Sequence, residues 1–452
     1  MGATSITEND EKKEIEDDIS NVEIKEEPKM DMEKLKALKA KAAEKNGDKM
    51  AAKIVAPKQK SLRIGVVASG QGGGRLGEAL FNLGYDTIAL NTASQDLKFL
   101  KLPDSNKLLL ESGSGIGGAA RELSIGEHAA QSNSTEIMEL VNDKLSDCQV
   151  YLCCFSLGGG SGSGSAETLI NLLNETGKPI IALCVLPMGS EDLKMKQNSL
   201  ETLSKLARLT ESKVISNLIV ADNFKIESIL ADTNMLNFYE TANKSIVEIF
   251  DKFNVLSSEN SPLKSLDQSE FAKITLGGGG LSIFGSMNVE NYEEDTAIAE
   301  AIISNLNGNL LADGFDLKQA KYVGFMVVAG KEVWAKLPSQ SINYAVSCLG
   351  ELCNGEIFKG LYVMADMKEE DGIKVFSYFS GLGLPDERLS SLKSEIKELA
   401  SKAKVKEEGR SLTLKLDTGL TDTATAAEKI KAKIANNKSA FGKLMGNSDR
   451  RK

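Results

Sequence analysis

The sequence predicts an α/β fold: a doubly wound parallel sheet, then a long bridging helix, then a smaller α+β domain. Three observations point there. Short β-branched runs alternate with segments of helical spacing between residues 61 and 231, two of these runs end in Gly-rich turns, and an amphipathic segment separates this half from a second group of strands.

The first run, LRIGVVAS, ends at Ser69 and leads into GQGGGRLGEALFNLG, which takes up helical spacing after its glycines. The alternation continues through TIALNT, a stretch carrying GSGIGGAARE, a helix near EIMELVNDKL, then VYLCCFSL, GGGSGSGSAETLINLL and PIIALCVL. Between about Asp232 and Phe253 the apolar stripe Leu236, Tyr239, Ala242, Ile246, Phe250 and Phe253 predicts a helix joining two domains. Beyond it YVGFMVVAG, helical SINYAVSCLGELC, GLYVMADM and GIKVFSYFSG predict the smaller domain, with a hairpin joined by KEEDG closing its sheet. The organisation expected is a disordered charged arm over 1–60, the sheet domain over 61–231, the bridging helix over 232–256, the second domain over 257–385, and a basic helix and tail over 386–452.

Composition narrows the chemistry. A net charge of -10 over 452 residues disfavours nucleic-acid binding by the body as a whole, so any such contact is local. The six cysteines have no CxxC spacing, and Cys148, Cys153, Cys154 and Cys184 lie in or beside apolar runs, as buried reduced thiols do. A single histidine, His128, leaves little room for His-activated nucleophiles or multi-His metal sites, which turns attention to carboxylates, metal and backbone. The N-terminus has no apolar core, Ile6 breaks the myristoylation pattern, and no apolar run approaches spanning length; a soluble cytoplasmic protein without membrane insertion is expected.

The first Gly-rich turn, Gly70 to Gly77, lies where a strand gives way to a helix, so its free N–H groups and the helix dipole suit phosphate oxygens. Gly72, Gly74 and Gly77 also satisfy GxGxxG, which keeps a nicotinamide-dependent dehydrogenase among the readings. The second turn, GGGSGSG from Gly158 to Gly164, has the same setting, and two such turns on one sheet suit a single polyphosphate better than a dinucleotide. Neither contains GK[ST], so phosphate charge falls to backbone dipoles and metal. The competing reading is that these glycines serve only tight turns and close helix packing.

GGGSGSG resembles the GGGTGSG signature of the tubulin/FtsZ family, with Ser161 for the usual Thr, and the first turn is similar to the tubulin form GQxGNQxG. NTASQDL, from Asn91, resembles the FtsZ segment NTDAQAL, and Gly113 to Ala119 matches the third phosphate loop. PMGSEDLKMKQ and GLYVMADMKEEDGIKVFSYFSGLG resemble the FtsZ stretches after the fifth strand and at the last hairpin, so the likeness runs from about 61 to 385. It implies a GTPase that assembles head to tail into dynamic filaments and takes GTP/GDP with Mg²⁺. Nucleotide contacts carried over are Gly70, Gln71, Gly72, Gly73, Gly74, Arg75, Asn91, Gly115, Gly117, Gly118, Gly158, Gly159, Gly160, Ser161, Gly162, Ser163 and Gly164. Gln71 is also placed beside the metal, Glu191 on the ribose hydroxyls, and Asn223 and Asn243 on the guanine edge, where an amide offers both donor and acceptor. In the family an acidic loop enters the neighbouring subunit's site; here SLDQSE supplies Asp267 and Glu270 as the catalytic carboxylates, whereas without the family both read as a solvated turn after Pro262.

Departures refine the picture. Ala93 replaces an Asp carried by many FtsZ proteins, which leaves the metal's protein ligands open, and Ser265 and Glu270 alter the acidic loop. The missing apolar C-terminal peptide and the Lys-rich tail resemble plasmid or phage tubulins, which position DNA or capsids. The tail then binds DNA, a DNA-bound adaptor or cargo, or the next subunit, or is simply solvated. The setting is the cytoplasm of a bacterium or phage-infected host. Open alternatives are a division filament of the FtsZ type, a GTP-binding structural filament with little hydrolysis, and the dehydrogenase.

Overall fold

The structure, a computed structural model, describes residues 59–113 and 117–408; the arm up to Lys58, Gly115 and the tail after Glu408 lie outside the described residues. Strands β1 (Ile64–Ser69), β2 (Asp86–Asn91), β3 (Lys107–Leu109), β4 (Val150–Ser156), β5 (Ile180–Leu186) and β6 (Asn217–Asp222) pair in parallel in the order 3-2-1-4-5-6. Every residue of β1, β5 and β6 is buried, because helices cover both faces and no alternation with polar residues is needed. The connections supply those helices: α1 (Gly70–Asn82), α2 (Ser94–Phe99), α3 (Leu123–Ser132), α4 (Ser134–Leu145), α5 (Gly160–Asn174), α6 (Leu193–Glu211) and α7 (Asn223–Ile229). Chain order reverses between β1 and β4, which makes their C-terminal ends the switch point where open α/β sheets bind ligands. Among the described residues no helix is long and apolar enough to cross a membrane.

The bridging helix α8 (Met235–Leu256) buries Ala242, Ile246, Phe250 and Phe253 along one stripe. Phe253 stacks on Phe271 at 6.4 Å and meets Tyr378 edge-on at 5.4 Å, so the rod is anchored in the second half by ring packing. That half contains α9 (Gln268–Leu276), β7 (Gly280–Val289), α10 (Ala297–Gly308), β8 (Tyr322–Gly330), α11 (Lys331–Lys336), α12 (Ser339–Leu352), β9 (Glu356–Met364) and β10 (Ile373–Leu382).

Two expectations about this half need correction. The strands flanking KEEDG do not form a hairpin: β10 inserts antiparallel between β7 and β8, while β9 pairs in parallel with β8 at the sheet edge. The apolar strand β10, buried at Val375 to Ser380, needs neighbours on both sides, whereas β9 is largely half-exposed and tolerates an edge. The second half also has no separate sheet. Residues 217–219 of β6 pair with 280–282 of β7, and the described residues form one ten-stranded sheet. Buried Asn217 sits at this seam, where its amide donates to the Thr275 carbonyl (2.9 Å) and Tyr378 Oη (2.8 Å) and accepts from Ser282 Oγ (2.7 Å).

The segment after Pro385 forms α13 (Asp386–Glu408), which packs on α6, buries Leu389 and Leu392, and is tied down by charged groups described below. Its apolar stripe is only two residues deep at this end, which is why periodicity alone shows a helix without showing where it docks.

Candidate functional site

Both Gly-rich turns lie at the switch point and touch. Gly70 adopts φ +76°, and a Cβ there would come within 2.7 Å of Gly162 N; a Cβ on Gly162 would in turn lie 2.8 Å from the Ser69 carbonyl. Only glycine at both positions lets the starts of α1 and α5 approach so closely. Neither helix has a side-chain N-cap, so the first-turn N–H groups of both are left for a ligand. A Ser69 Oγ to Ser165 Oγ hydrogen bond (2.7 Å) ties the loops together beneath, and Ser161 Oγ joins Thr92 Oγ1 (2.6 Å) at the end of β2.

Above these turns is a cleft of about 510 Å³. Gly70, Gln71, Gly72, Arg75, Gly118, Gly159, Gly160, Ser161 and Gly162 line its phosphate-suited end, and Glu191, Asn223 and Asn243 line the rest. Tyr239 joins them one helical turn before Asn243, and the Arg75 guanidinium lies 4.9 Å from its ring centroid. Glu191 Oε2 is buried with no hydrogen-bond partner among the described residues. Desolvation raises its pKa despite the nearby Arg121.

Several lining groups escape motif reading. Asp96 accepts from Gln71 Nε2 (3.3 Å) and Asn91 Nδ2 (3.2 Å), placing a carboxylate in the cleft three residues after Ala93. Arg121 lines the cleft at φ +65° and pairs with Asp192. Asn198 bridges beneath, donating to the Arg121 carbonyl (2.8 Å) and the Gly158 carbonyl (3.0 Å), which fixes the third loop against the second. The available signals were an Asp inside NTASQDL, an Arg inside GSGIGGAARE and an Asn directly after PMGSEDLKMKQ.

Residues 63–231 match the model for the tubulin/FtsZ family, GTPase domain, and residues 252–393 match that for the tubulin/FtsZ-like protein TubZ-like, C-terminal domain. The chain belongs to the tubulin/FtsZ family. The tubulin-like protein CetZ of Pyrococcus abyssi is 26% identical over 370 residues, 80% of this chain and 97% of the relative. The tubulin-like protein TubZ of Bacillus cereus is 27% identical over 372 residues, 74% of this chain and 82% of the relative. The GTPγS-form protofilament of Bacillus thuringiensis serovar israelensis TubZ superposes with a TM-score of 0.69 at 21% identity, over 79% of this chain and 96% of that one. At that identity the structural likeness speaks for the fold.

Within this tubulin/FtsZ fold not every expected contact reaches the cleft. Gly73 and Gly74 face inward, where a Cβ would meet the Cys154 carbonyl at 2.3 Å and Leu100 at 2.9 Å, and Gly164 packs α5 onto Leu123. These glycines serve helix packing. Asn91 is buried and turns its amide to Asp96 and the Ala93 N–H, while Ser163 Oγ accepts from Gly158 N (2.8 Å), so both build loops without lining the cleft. Gly117 and Gly158 flank it, and Gly115 is outside the described residues. Asp267 and Glu270 lie away from the cleft in a capping box on α9. Asp267 Oδ1 accepts from Glu270 N (2.9 Å) and Glu270 Oε2 from Asp267 N (3.0 Å), and Lys264 pairs with Glu270 at 3.3 Å. The backbone bond from Glu270, foremost, holds the Asp267 pKa below its usual value, so the carboxylate is charged at neutral pH.

Proposed function

We propose that this chain binds GTP in the switch-point cleft, assembles head to tail into filaments, and hydrolyses GTP where one subunit's Asp267 and Glu270 meet the next subunit's nucleotide. The observation carrying the proposal is the pair of touching, uncapped glycine helix starts, with amides and an aromatic ring at the far end of the same cleft. The N–H groups of Gly70 to Gly72 and Gly159 to Gly162 take the phosphate oxygens, Glu191 accepts from a ribose hydroxyl, and Asn223 and Asn243 pair with the guanine edge while Tyr239 offers a face to the ring.

The donor set fits Mg²⁺ held mainly through phosphate oxygens, since no cluster of three or more His, Cys, Asp or Glu among the described residues encloses a metal. Asp96 and Gln71 are the side chains that would hold its water shell, and the ion would offset charge on the transferred phosphoryl group. Asp267 and Glu270 orient and polarise the attacking water. Residues 61–231 form the binding half, 232–256 the rod, and 257–385 the half that completes the neighbour's site. Positioning of plasmid or phage DNA or capsids, through an adaptor at the Lys-rich tail, is the cellular role that fits the kinship with TubZ.

One observation favours a second reading, a filament that binds GTP with little turnover: the capping box already satisfies both carboxylates. Light scattering with GTP, GDP and a slowly hydrolysed analogue, with phosphate release followed alongside, separates the two. GTP-dependent scattering with release that climbs steeply with protein concentration supports the first; scattering without release supports the second. No GTP-dependent scattering at any concentration refutes both.

A further inference from the structure

Behind the base end of the cleft runs a closed circuit of buried and half-buried charges. Asp222, 1% exposed, ends β6 and caps α7: its Oδ1 accepts from Phe224 N (3.2 Å) and its Oδ2 from Arg388 Nε (2.6 Å). Arg388, 6% exposed, comes from the first turn of α13, and its Nη1 reaches Glu395 Oε1 at 2.9 Å, two turns along the same helix. The other oxygen of Glu395 takes Lys196 Nζ of α6 (2.6 Å), and Lys196, 2% exposed, also donates to the Gly189 carbonyl (2.8 Å). Gly189 N donates to Glu227 on α7 (3.0 Å), and the circuit closes.

Two cleft residues hang on this ring by the main chain. Asn223 follows Asp222 directly, and Glu191 is two residues beyond Gly189. A network of this kind is poorly suited to adding stability, because desolvation offsets most of the Coulomb gain and Arg388 Nη2 is left without a partner among the described residues. What it does supply is position: both oxygens of Asp222 and of Glu395 have assigned donors, with Ser391 Oγ also reaching Glu395 Oε1 (3.2 Å), so α7, the 188–191 turn and α13 have a single mutual placement.

We propose that α13 is a positioning element for guanine recognition, acting through Arg388 on Asp222 and through Glu395, Lys196, Gly189 and Glu227 on α7, and thereby on Asn223. The inference rests on the assignment of Asn223 to the base under Proposed function. By linkage, docking of α13 and binding of guanine nucleotide favour each other by the same factor, so a partner that pulls α13 from the body releases nucleotide.

The test uses the full chain below its assembly concentration and measures equilibrium dissociation constants for GTP and for ITP, which lacks the guanine 2-amino group. The variants are Glu395→Gln, which keeps shape but sets an NH2 donor against either Lys196 or Arg388, and Asn223→Ala as the reference for lost base reading. Glu395→Gln is expected to weaken GTP about five- to tenfold and ITP by under about twofold, with Asn223→Ala narrowing the GTP/ITP ratio further. GTP is also expected to slow amide hydrogen exchange in α13 of the unaltered protein but not of Glu395→Gln. Equal weakening of GTP and ITP by Glu395→Gln, or no weakening, while Asn223→Ala narrows the ratio, overturns the coupling and leaves the base assignment standing. An unchanged ratio in Asn223→Ala overturns the base assignment and the coupling with it.

Discussion

Asp267 has two proposed duties that a pair of substitutions can separate. Its side chain caps α9, accepting from Glu270 N at 2.9 Å and from Ser269 Oγ at 2.7 Å, and it is proposed to act on the neighbouring subunit's γ-phosphate. Asn caps a helix about as well as Asp, so Asp267→Asn should shift stability by only a few tenths of a kcal/mol. Asp267→Ala removes the cap and should cost about 1 kcal/mol, a fall of about 1–2 °C in thermal midpoint for a body of this size. Both remove the carboxylate. Loss of a group that positions and polarises the attacking water typically slows the chemical step about 10²–10⁴-fold, or roughly 2.7–5.4 kcal/mol of barrier. Phosphate release per polymerised subunit, measured beside sedimentation and thermal unfolding, should therefore fall by at least about a hundredfold in both variants. Only the Ala variant should melt earlier, and Asp267→Asn should form long-lived polymers. Wild-type release from Asp267→Asn polymers would refute the catalytic assignment and leave Asp267 as a cap alone.

Three further outcomes follow from the site and its supports. The raised Glu191 pKa means that its charged form is a cost to the folded apo protein at neutral pH, relieved as pH falls through that raised value. Glu191→Gln should thus raise the apo thermal midpoint while weakening GTP about 10–100-fold by calorimetry, the loss of a charged acceptor to the ribose. Desolvation opposes ionisation of Glu395, but hydrogen bonds and charges from Lys196 and Arg388 together outweigh it and hold its pKa below 4.5. Its contribution is present above that unfolded value and lost as pH falls through the lower folded one, so exchange protection of α13 should drop in acid below pH 4.5 and Glu395→Gln should flatten that dependence. Asp96→Asn should raise the Mg²⁺ concentration needed for half-maximal phosphate release while leaving GDP affinity in chelator nearly unchanged, since the carboxylate's proposed work is on the metal's water shell.

The phosphate end of the cleft was legible because glycine spacing at strand ends is a local signal, and Gly70 to Gly72 with Gly159 to Gly162 meet at the switch point. What spacing does not convey is the direction a glycine faces. Gly73 and Gly164 have the same motif rank as Gly72, yet helix phase turns them into the sheet and into α3. Asp96 and Arg121 were missed because each is aimed into the cleft by partners distant in sequence, Asp96 from the first turn of α2 by Gln71 and Arg121 from a loop by Asp192. The insertion of β10 between β7 and β8 was hidden for a related reason: a short turn such as KEEDG permits a hairpin, and only the burial demand of both faces and both edges decides against it. The docking of α13 rests on Arg388 and Glu395, residue types whose surface and buried uses look alike in a sequence.

The seam between β6 and β7 has a consequence for how the molecule carries load. Among the described residues the strand-to-strand pairing that joins the two halves of the sheet is confined to 217–219 and 280–282, a short weld in an otherwise long ladder, with Val220 and Asp222 bonded beyond it to the 310–312 segment. Asn217 acts on that weld as a dowel. Sliding the halves by one residue would strip its amide of the Thr275 carbonyl, Tyr378 Oη and Ser282 Oγ at once, stranding a buried amide. Tension along a head-to-tail chain of the kind proposed would load this seam in every copy, and the simultaneous loss of all three Asn217 partners would oppose slippage there.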